Sequence, residues 1–522
     1  MEAFEIHPRA LDLAALRLLD DPARPVALSS QARDAIARAH AVLETALAEG
    51  RRIYGVTTGP GPLADQAIDP AQLAEAQRRL VLSNATGVGA ALSARITRRI
   101  MILKLATFAA GASGVTEALT DRIVTLINAD CLPVIPAKGS VGASGDLAPL
   151  AHLGACLLGE GDAVLREERM SAREALSELG LDPFPLGPKE GLALVNGTQV
   201  STALAVDGLF QAEECLSAAL TCGALSLEAG SGTVSAFDSR IHDLRGQPGQ
   251  VAVAAALRGY LDGSALQNDR PVKRLQDPYC LRCMPQVMGA ALDQIEAAAA
   301  TLDCELRAVT DNPLIDPETG DVLFGGNFHA QGVGMAADTI ALAMSEIGAI
   351  SERRTAFLVD ENMSGLPAFL VAGAGLDSGF MVAQVTAAAL VSENRHLAAA
   401  ASTDSIPTAA NQEDYVSMAT YAARRLGDMA ENLRAILAIE LLAACQGLDL
   451  RRPARSSPVL ERVHTTVRER VAPWHEDRFF APDLKAACQL LVAGTAVAPV
   501  PASLLPSRRR AAVTRHASAP QI

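Results

Sequence analysis

The sequence predicts an all-α protein built around a central bundle of long helices. Ala and Leu dominate the apolar residues, whereas aromatic residues make up only 3% of the 522 positions. Both are strong helix formers, and small Ala side chains let neighbouring helices approach closely. Few segments alternate with the period of a β-strand. Five segments have a helical period and exceed the usual helix length of about 11–12 residues: 198–229, 285–309, 332–359, 382–400 and 418–447.

The first 195 residues are more broken. Gly and Pro cluster at 55–62, 134–145 and 183–191, where we expect loops between shorter helices. From about residue 448 the composition shifts towards Arg and Pro.

These shifts divide the chain into four parts. The basic cluster Arg508-Arg509-Arg510 lies among Ala, Pro and Ser, as in a solvated tail. We expect an N-terminal domain, a long-helix bundle, a smaller C-terminal helical part and a flexible tail: 1–195, 196–447, 448–505 and 506–522.

Composition and charge exclude several classes of protein. With 49% hydrophobic residues the bulk of the chain is not disordered, and a formal net charge of −14 argues against a nucleic-acid partner. The start of the chain lacks the basic and apolar regions of a signal peptide, and we find no long apolar run free of charges and helix breakers. Nine scattered Cys do not form a disulfide framework. We expect a soluble, cytoplasmic protein without a membrane partner.

A turn of small residues, Ala143-Ser144-Gly145 followed by Asp146, is the most informative local feature. Small side chains permit backbone conformations that most residues do not reach. If the Gly145 nitrogen is bent onto the Ala143 carbonyl, cyclisation and dehydration produce an imidazolone with an electrophilic methylidene. The alternative is a tight turn capped by Asp146. A second tripeptide, Ala112-Ser113-Gly114, shows that the three residues alone are not diagnostic.

The longer string Gly142-Ala-Ser-Gly-Asp-Leu-Ala-Pro-Leu150 resembles the prosthetic-group motif of the histidine, phenylalanine and tyrosine ammonia-lyases. In that family Ala-Ser-Gly cyclises into 4-methylidene-imidazol-5-one (MIO). Five further segments agree in the family's order, and the resemblance extends from about residue 50 to 450: Tyr54–Gly61, Gly191–Thr198, Gln276–Arg282, Gly325–His329 and Asn411–Asp414.

The resemblance implies a long-helix bundle of the ammonia-lyase/fumarase-like type with an N-terminal MIO-bearing domain. It also implies a homotetramer whose active sites combine residues from three subunits.

An elimination of ammonia needs an electrophile, a base and an anchor for the substrate carboxylate. Arg282 has the planar donor fork that suits a carboxylate, although a surface ion pair is its alternative role. Tyr54 lies in a Gly-rich loop where a phenolate with a lowered pKa would serve as base, although a buried, hydrogen-bonded Tyr is the alternative.

The resemblance assigns roles to individual residues. Tyr54 would remove the β-proton, with its loop acting as a lid, and Asp146 would assist MIO formation. The catalytic set implied is Tyr54, Ala143, Ser144, Gly145 and Tyr279. The substrate-binding set implied is Asn84, Asn196, Gln276, Arg282, Phe328 and Glu413.

Glu413 bears on the choice of substrate. A carboxylate in an apolar pocket needs a cationic or hydrogen-bonding partner, which an imidazole supplies and a phenyl ring does not. Its alternative is a carboxylate at a helix N-terminus. The histidine branch of the family carries Glu here, but Asn84 stands where that branch usually has His. Thr57 is similar to the phenylalanine and tyrosine branches, and Pro60 replaces the Phe of all of them.

The predicted activity is therefore conversion of L-histidine to trans-urocanate and ammonia. A phenylalanine, tyrosine or modified-histidine ammonia-lyase and an MIO-dependent 2,3-aminomutase remain alternatives. An inactive helical scaffold is the alternative from another class.

Other motifs do not indicate a further cofactor. Cys280 and Cys283 have CxxC spacing, but no second pair or nearby His completes a zinc site. His329 is interpreted as a packed histidine. Without a Walker loop or a complete GxGxxG we expect MIO and neither a nucleotide nor a metal.

Overall fold

The structure is a computed structural model that describes residues 2–268 and 274–509. Helices dominate these residues, which confirms the all-α prediction. The N-terminal region contains eight of them: α1 (Leu13–Leu18), α2 (Ser30–Ala48), α3 (Leu73–Asn84), α4 (Ala94–Ala109), α5 (Glu117–Asn128), α6 (Leu147–Leu157), α7 (Ala172–Glu178) and α8 (Glu190–Val195).

Short strands accompany these helices. Within the described residues β1 (Phe4–Ile6) pairs in parallel with β2 (Val26–Leu28), and the other ladders are antiparallel. They comprise β3 (Val88–Ala91) with β5 (Pro136–Lys138), β4 (Cys131–Pro133) with β6 (Asp162–Leu165) and β7 (Glu168–Ser171), and β8 (Leu314–Ile315) with β9 (Val322–Leu323). Segments of two to four residues are too short to display a strand period. The region 134–145, predicted as a loop, therefore contains β5.

The rest of the described chain is helical. It contains α9 (Gln199–Ala229), α10 (Ser239–Arg245), α11 (Pro248–Leu261), α12 (Tyr279–Arg282), α13 (Met284–Glu305), α14 (Gln331–Val359), α15 (Glu361–Ser364), α16 (Met381–Leu397), α17 (Ala419–Leu450), α18 (Pro458–Arg468) and α19 (Ala481–Val492).

The five predicted long helices are confirmed as α9, α13, α14, α16 and α17, with ends that differ by a few residues. The largest difference is α13, which ends at Glu305 rather than at 309. Val309 and Thr310 follow, and β-branched residues lower helix propensity.

Helix α9 is the centre of the bundle. Its residues are buried from Gln199 to Ala229 with the exception of Glu214, and it packs against α13, α14 and α17. Close approach depends on small residues: a Cβ added at Gly208 would lie 2.3 Å from Leu426 of α17. A helix that is apolar on every side is stable only inside such a core.

The bundle has two ends, which differ in chemistry. At the tripeptide end, where α9, α14 and α17 begin, Ala330 N donates to Gly142 O at 3.2 Å and Met418 N donates to Val141 O at 2.8 Å. At the opposite end, where these helices finish, Arg451 Nε donates to Ala229 O at 3.0 Å. Helix α13 runs in reverse, so that its Glu305 reaches the tripeptide end.

Helix α14 is the one described helix that is long and apolar enough to cross a membrane by length and composition. Within that window 67% of the residues are buried inside the bundle. A core helix passes the same test.

The C-terminal segment returns to the bundle. Ser507 N donates to Glu213 Oε1 of α9 at 2.8 Å, and Arg509 Nη1 lies 2.5 Å from Glu296 Oε1 of α13. Residues 506–509 are thus held on the helices, and residues 510–522 of the predicted tail lie outside the described residues.

One ion pair is completely buried inside the bundle. Arg354 of α14 donates to both carboxylate oxygens of Glu440 of α17, at 2.5 and 2.8 Å, and neither side chain is exposed. Ser226 of α9 and Ser351 of α14 also donate to this carboxylate, at 2.7 and 2.5 Å. The pair therefore joins three of the long helices.

Removing one charge of this pair will destabilise the protein. We expect Glu440→Gln to lower the free energy of unfolding by about 3–5 kcal/mol, because it leaves the Arg354 charge buried and uncompensated. Urea and thermal unfolding would measure the loss. Glu346→Gln, the same substitution at an exposed position of α14, is the matched control and should change stability by less than about 1 kcal/mol. Equal effects of the two substitutions would contradict the prediction.

Candidate active site

The tripeptide lies in a strained turn between β5 and α6. Gly142, Ser144 and Gly145 have φ angles of +68°, +51° and +76°. A non-Gly residue in this region is uncommon and costs free energy, so surrounding contacts must hold Ser144 there. A Cβ at Gly145 would lie 2.2 Å from Gly197 N, and only Gly permits this approach. The turn therefore presses the tripeptide against the backbone that leads into α9.

Asp146 holds the turn in place through four hydrogen bonds. Its carboxylate is fully buried. Oδ1 accepts from Ser140 Oγ at 2.8 Å and Thr420 Oγ1 at 2.6 Å, and Oδ2 accepts from Ser201 N at 2.7 Å and Ser201 Oγ at 2.9 Å. The partners belong to the turn itself, to α17 and to α9. The alternative reading of Asp146 as a side-chain cap of α6 is wrong, because α6 has no side-chain cap bond.

The loop before α17 covers the tripeptide. Ser417 Oγ donates to Gly142 O at 2.9 Å. Glu413 Oε1 accepts from Ser144 Oγ at 2.5 Å, while its Oε2 accepts from Thr408 Oγ1 at 2.7 Å. Glu413 lies six residues before α17 begins, so its alternative role at a helix N-terminus is wrong. The carboxylate instead faces the hydroxyl of the tripeptide.

Asn196 forms the wall behind the tripeptide. It ends α8 and is buried, and its side-chain Oδ1 has no hydrogen-bond partner among the described residues. A buried acceptor without a partner costs about 1–3 kcal/mol, unless a ligand or a modified group satisfies it. Next to it, Gly197 O accepts from Asp146 N at 2.8 Å.

The loop that carries Tyr54 lies beside the Glu413 loop. The Tyr54 phenolic oxygen accepts from Gly61 N at 2.7 Å, and Gln77 Nε2 donates to Gly55 O at 2.9 Å. The turn Gly61–Leu63 packs against the turn Ala409–Asn411. Tyr54 therefore belongs to the tripeptide end of the bundle.

Asn84 and Thr57, which differ from the histidine branch, form hydrogen bonds with nearby backbone groups. Asn84, the last residue of α3, donates from Nδ2 to Leu80 O at 2.7 Å. Thr57 Oγ1 accepts from Ile53 N at 2.8 Å inside the tyrosine loop. The Asn84 amide and the Thr57 hydroxyl thus bond to backbone groups four residues away in the sequence.

Phe328 lies in the loop before α14 and is half-buried. Its neighbour His329 bonds through Nε2 to Tyr415 O at 3.0 Å and stacks on the Tyr415 ring. These contacts match the interpretation of His329 as a packed histidine. Among the described residues no cluster of three or more His, Cys, Asp or Glu could hold a metal ion.

Gln276, Tyr279 and Arg282 do not join this group within one chain. Gln276 precedes α12, and Tyr279 and Arg282 are the first and last residues of that helix. They lie at the opposite end of the bundle, where Met284 of α13 packs beside Gly223 near the end of α9. The 22 residues of α13 separate them from the tripeptide end by about 33 Å at 1.5 Å per residue.

Gln276 and Tyr279 are exposed, and Arg282 is half-buried. Tyr279 is 71% exposed, and the Arg282 guanidinium lies 4.7 Å from the centroid of its ring. Within the described ranges no carboxylate forms an ion pair with Arg282, and its Nε has no hydrogen-bond partner there. The nearby Cys280 is a free thiol whose pKa is raised to about 11 by burial.

Sequence reasoning missed the residues that support the site. Ser140, Ser201 and Thr420 hold Asp146, and Lys104 donates to Asn196 O at 2.6 Å. A single lysine in the apolar run of α4 was the one available signal. The partners of Asp146 are Ser and Thr hydroxyls, which are common and far apart in the sequence, so no sequence pattern identified them.

Comparison with known proteins agrees with this geometry. The family model for aromatic amino acid lyases matches residues 11–469. A histidine ammonia-lyase from Paracidovorax citrulli is 52% identical over 97% of this chain and 99% of its own. The structure of histidine ammonia-lyase from Trypanosoma cruzi is similar with a TM-score of 0.88 and 37% identity, over 97% of this chain and 96% of that one. The structure of tyrosine aminomutase from Streptomyces globisporus has a TM-score of 0.89 and 34% identity, over 95% and 98% of the two chains. The chain belongs to the aromatic amino acid lyase family.

Proposed function

We propose that the protein is a histidine ammonia-lyase, which converts L-histidine into trans-urocanate and ammonia. The observation that carries the proposal is the Glu413 carboxylate, 2.5 Å from the hydroxyl of Ser144. Glu413 Oε1 is an acceptor for an imidazole N–H beside the tripeptide, whereas a phenyl ring would offer Oε1 no hydrogen bond and leave the carboxylate with Thr408 Oγ1 alone. The 52% identity to a curated histidine ammonia-lyase supports the same substrate.

The residues fit formation of MIO from Ala143-Ser144-Gly145. The turn needs Gly at 145, and Asp146 holds it from three sides. In the cyclisation the Gly145 nitrogen bonds to the Ala143 carbonyl carbon, whose oxygen leaves as water with the amide protons of Ser144 and Gly145. Ser144 then loses its hydroxyl and α-proton as a second water. The resulting group supplies an electrophile that ordinary side chains lack.

The remaining residues bind and orient the substrate. Tyr54, oriented by the Gly61 N–H, takes the β-proton as general base. The free Oδ1 of Asn196 accepts a hydrogen bond at the wall of the site. Phe328 lines the substrate pocket, and Asn84 lies at the edge of that pocket. The proposal requires neither a metal nor a nucleotide.

The carboxylate anchor comes from another subunit in this proposal. Helix α13, about 33 Å long, separates Gln276, Tyr279 and Arg282 from the tripeptide end of the bundle in their own chain. The exposed Gln276 and Tyr279 and the half-buried Arg282 would complete the site of a neighbour, where the Arg282 fork binds the substrate carboxylate in a bidentate manner. We therefore propose a homotetramer. A cytoplasmic location and the absence of nucleic-acid and membrane partners stay predictions from the sequence.

Ser144→Ala will abolish both the modification and the reaction. We expect the intact mass of the wild-type chain to be two waters below that of the unmodified sequence, and urocanate formation to fall by at least about 10³-fold in the variant, because no electrophile forms. Mass spectrometry and the ultraviolet absorbance of urocanate measure the two effects. Ser113→Ala, in the second Ala-Ser-Gly, is the matched control and should change neither. A wild-type chain of unmodified mass would refute the proposal.

Glu413→Gln will weaken the selection of histidine. A hydrogen bond to a charged group contributes about 1.5–3 kcal/mol, so we expect kcat/KM for L-histidine to fall about 10- to 150-fold. Turnover of L-phenylalanine should not fall. The neighbouring exposed Asp414→Asn is the control, and the intact mass of both variants shows whether MIO still forms. Cinnamate, coumarate or a β-amino acid as the main wild-type product would contradict the assigned substrate or outcome.

Two inactive variants will restore activity when they assemble together. In a mixed oligomer of Ser144→Ala and Arg282→Met subunits, roughly a quarter of the sites combine an intact Ser144 from one chain with an intact Arg282 from another. Each variant alone should be inactive. Co-expression with two affinity tags isolates the hybrids for assay. If hybrids of confirmed composition are inactive, Arg282 does not act across subunits.

A further inference from the structure

Lys104 is a fully buried lysine whose role in the site is unassigned. It lies on α4 in the apolar run 100–108 and is completely shielded from solvent. Its Nζ donates to Ala193 O at 3.0 Å and to Asn196 O at 2.6 Å. Both carbonyls belong to the C-terminal end of α8. Such carbonyls have no partner within a helix and form the negative end of its dipole, which a cation stabilises.

The two hydrogen bonds fix the peptide that backs the tripeptide. Asn196 O is the carbonyl of the Asn196–Gly197 peptide, so Lys104 determines how that peptide is oriented. On its other side Gly197 N lies against Gly145, and Gly197 O accepts from Asp146 N at 2.8 Å. The ammonium therefore acts on the tripeptide through one intervening peptide.

Burying the charged ammonium of Lys104 has a large desolvation cost. Burial lowers the pKa of the Lys104 ammonium to about 7, against the favourable charges of Asp311 and Asp146. Asp311 already pairs with Lys189 at 2.8 Å. An apolar chain of similar length would fill the space without this desolvation cost. Packing alone therefore does not explain a lysine at this position.

We propose that Lys104 is a positioning residue that holds the Asn196–Gly197 peptide against Ala143-Ser144-Gly145. The inference rests on the proposed formation of MIO from these residues. Held in this way, the Gly197 backbone restricts Gly145 to the conformation in which its nitrogen faces the Ala143 carbonyl. The same peptide directs the free Asn196 Oδ1 at the finished group. Lys104 itself contacts neither substrate nor the tripeptide.

Lys104→Met tests the proposal, with Lys189→Met as the matched control. Lys189 is equally buried and lies at the other end of α8, where its Nζ pairs with Asp311 at 2.8 Å. Four quantities are measured: the fraction of chains that have lost two waters, kcat for L-histidine, KM for L-histidine, and the thermal midpoint. We expect Lys104→Met to lower the cyclised fraction and kcat together, by about tenfold or more, with KM changed by less than about twofold.

The control should separate positioning from stability. Lys189→Met leaves Asp311 unpaired, so it should lower the thermal midpoint without reducing the cyclised fraction of folded chains. Lys104→Gln, whose amide N–H groups donate to carbonyls, should recover part of the cyclised fraction. It also provides the test if Lys104→Met does not fold.

The outcomes that overturn the inference differ from those that overturn the function. Fully cyclised Lys104→Met chains with unchanged kcat would overturn the positioning role. The positioning role would also be overturned if the cyclised fraction fell in proportion to the thermal midpoint, by the same relation, in the Lys104 and Lys189 variants. A wild-type chain without the loss of two waters would instead overturn the proposed function.

Discussion

The buried carboxylate of Asp146 is the constraint on which the rest of the site depends. A charged group without solvent is tolerated only when its lone pairs are satisfied, and Asp146 accepts from the turn, from α9 and from α17. Because the donors Ser201 and Thr420 lie in the first turns of two long helices, the bundle itself fixes the tripeptide. The strained φ of Ser144 is then maintained by rigid elements rather than by the turn. This is the arrangement expected where a backbone must be pre-organised for its own chemistry.

Helix length has a second consequence. The long helices are continuous because their Ala- and Leu-rich faces are buried on every side, so the residues that precede and follow them are separated by tens of ångströms. A site that needs both Ser144 and Arg282 cannot be closed within one such chain. The bundle holds each half of the site rigidly, one half around Ser144 and the other around Arg282. In the proposed assembly, contacts between subunits bring the two halves together.

Much of the fold was predictable because composition leaves long Ala- and Leu-rich segments few alternatives to buried helices. The strands were not, since two to four residues carry no period. The turn at Ser144 was predictable from its small residues, but its partners were not: Ser201 and Thr420 lie 55 and 274 positions from Asp146. The separation of Arg282 from the tripeptide was implicit in the sequence, because the motif precedes a predicted long helix.

Two residues that differ from the histidine branch, Asn84 and Thr57, form local hydrogen bonds in the structure. Asn84 directs its amide to Leu80 O within α3, and Thr57 bonds within the tyrosine loop, so each side chain satisfies a local backbone group. Glu413 differs, because its Oε1 is held by the Ser144 hydroxyl, the group that would leave in the proposed formation of MIO. Dehydration of Ser144 would free that acceptor at the moment the site becomes competent. In the proposed enzyme one carboxylate then faces first the forming group and afterwards the imidazole of the substrate, and substrate choice is linked to maturation of the site.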